Sequence, residues 1–238
     1  METTGGYATL AQLYRGALRV EGANWSGTKT PFASMRRIVQ TSPLFWRIRP
    51  GLWALKSEEA RLRAALELPF EAPSSVTERF DHGYYQGLLL EIGNFGNFGT
   101  FVPAQDKNRR FIEKPLHELA TLTAPPAFTF PHLLRHARTV DVAWYNRREF
   151  PDSFFEVEHS TDMQNSLLKF LEFQDLRTRF FIVADEARRR EWADKMNRAA
   201  FEPLRGRVEF FSYEAVSKRH SNAAECAALG NGAGCIFG

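Results

Sequence analysis

Cysteine is scarce in this chain: Cys226 and Cys235 are the only two in 238 residues, both in a Gly/Ala-rich C-terminal stretch. They form no metal-ligand pattern and do not suggest a disulfide framework. No apolar run approaches membrane-spanning length, and no charged-then-apolar leader follows Met1. The expectation is a cytoplasmic protein with no membrane partner. The glycine-rich run Gly93-Asn94-Phe95-Gly96-Asn97-Phe98-Gly99 follows a predicted helix instead of opening one. It also lacks the lysine and hydroxyl residue of a P-loop, which argues against nucleotide binding. No Ser-His-Asp arrangement or zinc-ligand spacing can be assembled.

Net charge is small, +3, but unevenly placed. Between Tyr7 and Lys56 eight basic residues (Arg15, Arg19, Lys29, Arg36, Arg37, Arg47, Arg49, Lys56) meet one acid, Glu21, so the segment carries +7 and the remainder −4. A basic module on a mildly acidic body suggests a polyanion-binding unit joined to something else, although a solubilising surface has the same composition. With 44% hydrophobic residues the chain has material for one large domain or two small ones.

Apolar residues recur at helical spacing over 7–20, and a second helix is expected from Pro31 to about Gln40, capped by Thr30. Met35, Ile38 and Val39 would face inward, leaving Arg36, Arg37 and Gln40 outward. Alternation on either side of Pro50-Gly51 predicts a β-hairpin. A charged helix from Ser57 to Leu68 and a proline-containing linker mark the boundary, giving expected segments 1–56, 57–80, 81–216 and a flexible tail, 217–238. The third segment reads as a helix (81–95), a strand (99–103), strands around Asp141 and Glu156, a helix capped by Asp162, a strand (179–184), an arginine-rich helix (187–201) and a last strand (207–211).

Two of these strands carry the chemistry. Val140-Asp141-Val142-Ala143-Trp144 holds a lone acid, and in Phe154-Phe155-Glu156-Val157-Glu158-His159 alternation puts Glu156 and Glu158 on one face and Val157 on the other. Three carboxylates from neighbouring strands are costly to bury without a cation among them. A hard divalent ion such as Mg²⁺, with Mn²⁺ as a substitute, suits oxygen ligands and the metal-assisted cleavage of phosphodiesters.

Two resemblances add to this reading. The run Thr30-Pro31-Phe32-Ala33-Ser34-Met35, with Phe45, Arg49, Gly51, Leu52, Trp53 and Leu55, resembles the HARE-type winged helix-turn-helix, which implies DNA binding and a link to sensing modified DNA. The element order over 81–213, with Asp141, Glu156 and Val157, resembles the restriction-endonuclease-like core of the PD-(D/E)xK nucleases. That likeness implies an α/β fold with a central mixed sheet flanked by helices. Glu158 stands where the motif has lysine, so the general base stays open. The resemblance makes Asp141, Glu156 and the Val157 carbonyl metal ligands, with Glu91 a further helical ligand and Glu158 a water-orienting group. Lys169 would supply the missing positive charge, and Lys107 a phosphate contact. Glu91, Lys169 and Lys107 also fit ordinary solvated side chains. On the N-terminal unit, Arg36, Arg37 and Gln40 would enter a groove and Arg47 and Arg49 would hold phosphates.

The expectation is therefore a Mg²⁺-dependent endonuclease of restriction or host-defence type, acting on double-stranded DNA as a homodimer. One rival is an inactive nuclease fold that binds DNA or regulates. Another is a winged-helix transcription factor with an unrelated sensor domain.

Overall fold

The computed structural model describes Met1 and residues 4–20, 31–66 and 75–229, with side chains from residue 81 onward in the last stretch. The chain divides into two compact units, Met1–Thr77 with Ser217–Gly238, and Glu78–Val216.

The first unit contains β1 (Tyr7–Thr9), α1 (Leu10–Ala17), α2 (Pro31–Thr41), β2 (Phe45–Arg49), β3 (Leu52–Leu55) and α3 (Glu59–Ala65). Its antiparallel sheet has the order β1-β3-β2. The sequence pattern reads 7–20 as one helix, but its first three residues form a strand. Thr9 and Gln12 close a capping box: the Thr9 N–H donates to Gln12 Oε1 at 2.8 Å, and the Gln12 N–H to Thr9 Oγ1 at 3.2 Å. A cap requires extended backbone, which sets Tyr7 opposite Ala54 on β3. Gly51 turns the β2–β3 hairpin at φ 80°, a conformation open to glycine. On α2, Phe32 and Val39 lie seven residues apart on the buried stripe, and the Phe32 ring tilts against Tyr14 at 4.8 Å. Ile38, expected inward, is 57% exposed because it sits 100° round the helix from Val39. The predicted Thr30 cap lies outside the described residues.

The second unit follows the expected element order with small additions. It runs α4 (Ser75–Phe95), β4 (Gly99–Phe101), β5 (Arg110–Phe111), β6 (Lys114–Pro115), α5 (Leu116–Leu119), α6 (Pro131–Ala137), β7 (Val142–Tyr145), β8 (Pro151–Glu158), α7 (Met163–Leu171), β9 (Arg179–Ala184), α8 (Arg189–Met196) and β10 (Val208–Ser212). The protein is thus α/β with a mixed five-stranded sheet, ordered β10-β9-β8-β7-β4. β8, β9 and β10 are parallel; β7 and β4 run antiparallel to their neighbours. One face, with Tyr145, Phe154, Phe180 and Ile182, packs against Met163, Leu167 and Phe170 of α7. On the opposite face Trp144 donates its indole N–H to the Leu89 carbonyl of α4 at 3.1 Å.

Glycine brings α4 close to its neighbours. A Cβ on Gly87 would lie 2.2 Å from Phe111 Cγ, and one on Gly83 would lie 2.9 Å from the Arg110 carbonyl oxygen. The expected flexible tail is corrected in part: residues 213–228 form a helix, α9 (Tyr213–Ala228), with Val216, His220 and Ala223 buried. Burial of one face holds what its Ala/Ser-rich composition did not advertise. No helix among the described residues is long and apolar enough to cross a membrane.

Candidate functional site

Antiparallel pairing brings the start of β7 beside the end of β8, with Val142 opposite Phe155. Asp141 precedes β7 by one residue, and the Val157 N–H donates to its Oδ2 at 2.8 Å. The Asp141 N–H points at Glu156 Oε1, 3.4 Å away. Backbone amides of two adjacent strands thus fix both carboxylates, and all three acids are buried: Asp141 at 8% exposure, Glu156 at 3%, Glu158 at 6%.

Lys169 comes from the last turn of α7. Its Nζ lies 2.7 Å from each Glu156 oxygen and 2.8 Å from the Thr139 carbonyl oxygen. Glu158 projects from the same face of β8. Ser166 donates to it from α7, Thr161 from the preceding turn. Ser166 also lies 3.2 Å from Glu156 Oε2. Asp162 caps α7 by accepting from the Gln164 N–H at 2.8 Å, which helps fix where Ser166 and Lys169 fall.

The metal-ligand group assembled among the described residues is not the expected acidic trio. It is His82, Asp106 and Asp141, whose ligand atoms lie within 4.8 Å of one another. His82 and Gln86 are four residues apart on α4 and share a face. The Gln86 amide donates to Asp106 Oδ2 at 2.9 Å and to the Asp141 carbonyl at 3.0 Å. Arg109 donates to Asp106 Oδ1 at 2.5 Å. Glu91, the expected helical ligand, is nine residues beyond His82 and so half a turn away on the other side of α4. His82, Gln86, Asp106 and Ser166 were absent from the sequence reading. The available signal was the pair His82 and Gln86 interleaved with Gly83 and Gly87 in an apolar helix.

Electrostatics set these groups apart. Burial raises the Glu156 pKa above the usual carboxylate range; Asp141 and Glu158 add to the rise, and Lys169 opposes it. Burial alone would lower the His82 pKa. The Asp106 and Asp141 carboxylates outweigh it and raise the imidazolium to about 9. Burial also works against the charge of Asp106, but His82, Gln86 and Arg109 together hold its pKa below the ordinary value. A site that fixes buried carboxylates around a cationic partner has the donor chemistry for a divalent ion. Two buried atoms in it, His82 Nε2 and Gln86 Oε1, have no hydrogen-bond partner.

The remaining predicted contacts are dispersed. Lys107 is exposed and lines a cleft of about 630 Å³ with Asn108, His117 and Arg138. In the first unit Arg37 and Gln40 are exposed on α2. Arg36, expected outward, is turned inward: its Nε donates to Tyr14 Oη at 3.2 Å and its Nη2 lies 3.4 Å from Glu225 Oε2. The buried Tyr14 hydroxyl needs a partner, and Arg36 supplies it. Arg47 is exposed with its guanidinium 6.0 Å from the Trp53 ring centre, and Arg49 donates to the Ile48 carbonyl at 2.9 Å.

Residues 67–228 match the family described as the type II restriction enzyme NmeDI C-terminal domain. The type II restriction enzyme NmeDI of Neisseria meningitidis serogroup C is 25% identical over 168 residues, which cover 66% of this chain and 47% of that protein. The chain therefore spans about half the length of this relative. No solved structure gives a significant match. The matched stretch includes the five-stranded sheet and every residue of the Asp141–Glu156–Lys169 and His82–Asp106 groups, and the chain belongs to the NmeDI C-terminal domain family of type II restriction enzymes.

Proposed function

We propose that this chain is a restriction-type endonuclease that hydrolyses DNA phosphodiesters with a divalent cation, Mg²⁺ or Mn²⁺. One observation carries the reading: a lysine from α7 reaches both oxygens of Glu156, beside Asp141, where two buried strand ends meet. The arrangement resembles the acid, acid and lysine set of the PD-(D/E)xK nucleases, with the lysine supplied by the following helix and Glu158 in the lysine's strand position.

Asp141, Glu156 and the Val157 carbonyl are the residues that would hold the cation. When bound, it would lower the pKa of the attacking water and offset charge on the phosphoryl group. Glu158, oriented by Ser166 and Thr161, accepts a proton from that water as the water oxygen bonds to phosphorus, the opposite P–O bond breaks and the departing oxygen takes up a proton from solvent. Lys169 places a fixed positive charge beside the phosphoryl oxygens. In the first unit α2 and the β2–β3 hairpin act as a HARE-type winged helix, with Arg37 and Gln40 toward the groove and Arg47, Arg49 and, in the second unit, Lys107 toward phosphates. A homodimer would place one such site on each DNA strand.

The test is incubation of the full chain with methylated and unmethylated plasmid and genomic DNA in Mg²⁺ or Mn²⁺. Cleavage is expected, and Asp141→Asn or Glu156→Gln should reduce it at least ~100-fold. Tight binding to every substrate without cutting would replace this reading with that of an inactive nuclease fold.

A further inference from the structure

His82, Asp106 and Gln86 take no part in the mechanism above, yet His82 and Asp106 converge with Asp141 into a metal-ligand group among the described residues. His82 Nε2 lies 3.5 Å from Asp141 Oδ2 and 3.7 Å from Asp106 Oδ2. Both separations are too long for good hydrogen bonds, which cluster at roughly 2.7–3.2 Å. Both are shorter than the span of about 4.2 Å that two ligands at about 2.1 Å can have across one ion. The ring nitrogen thus faces two carboxylates at ion-pair distance, without a close hydrogen bond to either.

Arg109 and Gln86 donate to the two Asp106 oxygens, so the carboxylate keeps two partners when the His82 ring gives up its proton. Gln86 is fully buried; its amide nitrogen donates to Asp106 and to the Asp141 carbonyl, while its Oε1 is left without a partner. Once the ring gives up its proton to solvent, the buried His82 Nε2 and the buried Gln86 Oε1 are two unpartnered acceptors, a set that a cation would satisfy. The donors are one imidazole nitrogen and two carboxylates. That mixture disfavours Mg²⁺, which prefers all-oxygen shells, and favours a first-row transition ion.

We propose that His82, Asp106 and Asp141 form a second cation site, selective for Mn²⁺ over Mg²⁺, which shares Asp141 with the Glu156 site and is positioned by Gln86. This inference deepens the nuclease reading by assigning the ion preference of the same centre, and rests on that reading only for its use in catalysis. Asp141 would then bridge the two positions, its Oδ2 oriented by the Val157 N–H.

The test uses the full chain without DNA, with Mn²⁺ itself as the probe. Pulsed electron paramagnetic resonance of bound Mn²⁺ should show ¹⁴N modulation from a directly bonded imidazole. His82→Gln should abolish that modulation and weaken Mn²⁺ binding at least ~10-fold, the lower end of what even outer-sphere changes cost. Mg²⁺ affinity should change far less. Asp106→Asn should weaken Mn²⁺ in the same way, and near-ultraviolet circular dichroism would confirm that both variants are folded. Bound Mn²⁺ with no ¹⁴N modulation in the parent protein, or equal Mn²⁺ affinity in folded His82→Gln, overturns the proposal. Cleavage of DNA alongside such a result would leave the nuclease reading intact. Nitrogen coupling in a protein that cuts no DNA would sink the nuclease reading and keep the site.

Discussion

Replacing Lys169 with methionine separates the stability of the candidate centre from its chemistry. Nζ sits 2.7 Å from each Glu156 oxygen, so at an effective dielectric of about 20 the gross attraction is ~6 kcal/mol. The net loss of stability should be much smaller. Burial lifts the Glu156 pKa to about 8 even beside Lys169, so the metal-free carboxyl is largely protonated at neutral pH, and removing Lys169 deletes the influence that opposes the rise and pushes it higher still. Neutralisation limits the penalty to about 1–3 kcal/mol instead of the 3–5 kcal/mol of a stranded buried charge. Chemistry has no such escape. A protonated Glu156 cannot ligate, and the charge beside the phosphoryl group is gone, so the cleavage rate should fall about 10²–10³-fold. Single-turnover cleavage measured across pH should rise with Glu156 ionisation in both proteins, with the variant's rise displaced to higher pH than the parent's, while urea denaturation at pH 7 reports the modest stability change. Cleavage at the parent rate at neutral pH would refute the assignment of Lys169 to the reaction.

Two further predictions follow from burial. Gly87→Ala puts a methyl 2.2 Å from Phe111 Cγ and should destabilise by about 1–3 kcal/mol or more, whereas Gly16→Ala, with open space around its Cβ, should be neutral or stabilise by up to about 1 kcal/mol; urea titration of both variants checks the contrast. In chelator-treated protein the raised His82 pKa contributes stability that is complete below about pH 6.5 and lost as pH climbs through about 9. The change should be about 3 kcal/mol, and denaturation at pH 6, 8 and 10 should show the decline in the parent protein and a flatter profile in His82→Gln.

Alternation made the Glu156 end of β8 readable in the sequence, and an unbroken apolar run made β9 readable. The alternation placed Glu156 and Glu158 on one face, and the structure has them there, each reached by Ser166 of α7. Asp141 was legible as a lone acid at a buried strand, although it precedes β7 by one residue. What joins it from elsewhere was not legible. Asp106 lies in a turn among polar residues, and only its burial against Gln86 and Arg109 distinguishes it from them. His82 is found by its orientation on α4, which depends on glycines that admit Arg110 and Phe111. Strand β1 was hidden because three residues are too few to establish a period of two. Helix α9 was hidden by weak apolar patterning.

The unit that contains α2 and the hairpin is discontinuous in sequence, drawing on both ends of the polypeptide. During synthesis Glu225 leaves the ribosome long after Arg36, its ion-pair partner, so the intervening Glu78–Val216 unit has all its residues before its neighbour is complete. A clone trimmed at Val216 would retain every strand of the larger sheet and yet leave Tyr14 and Arg36 without the carboxylate they are built against.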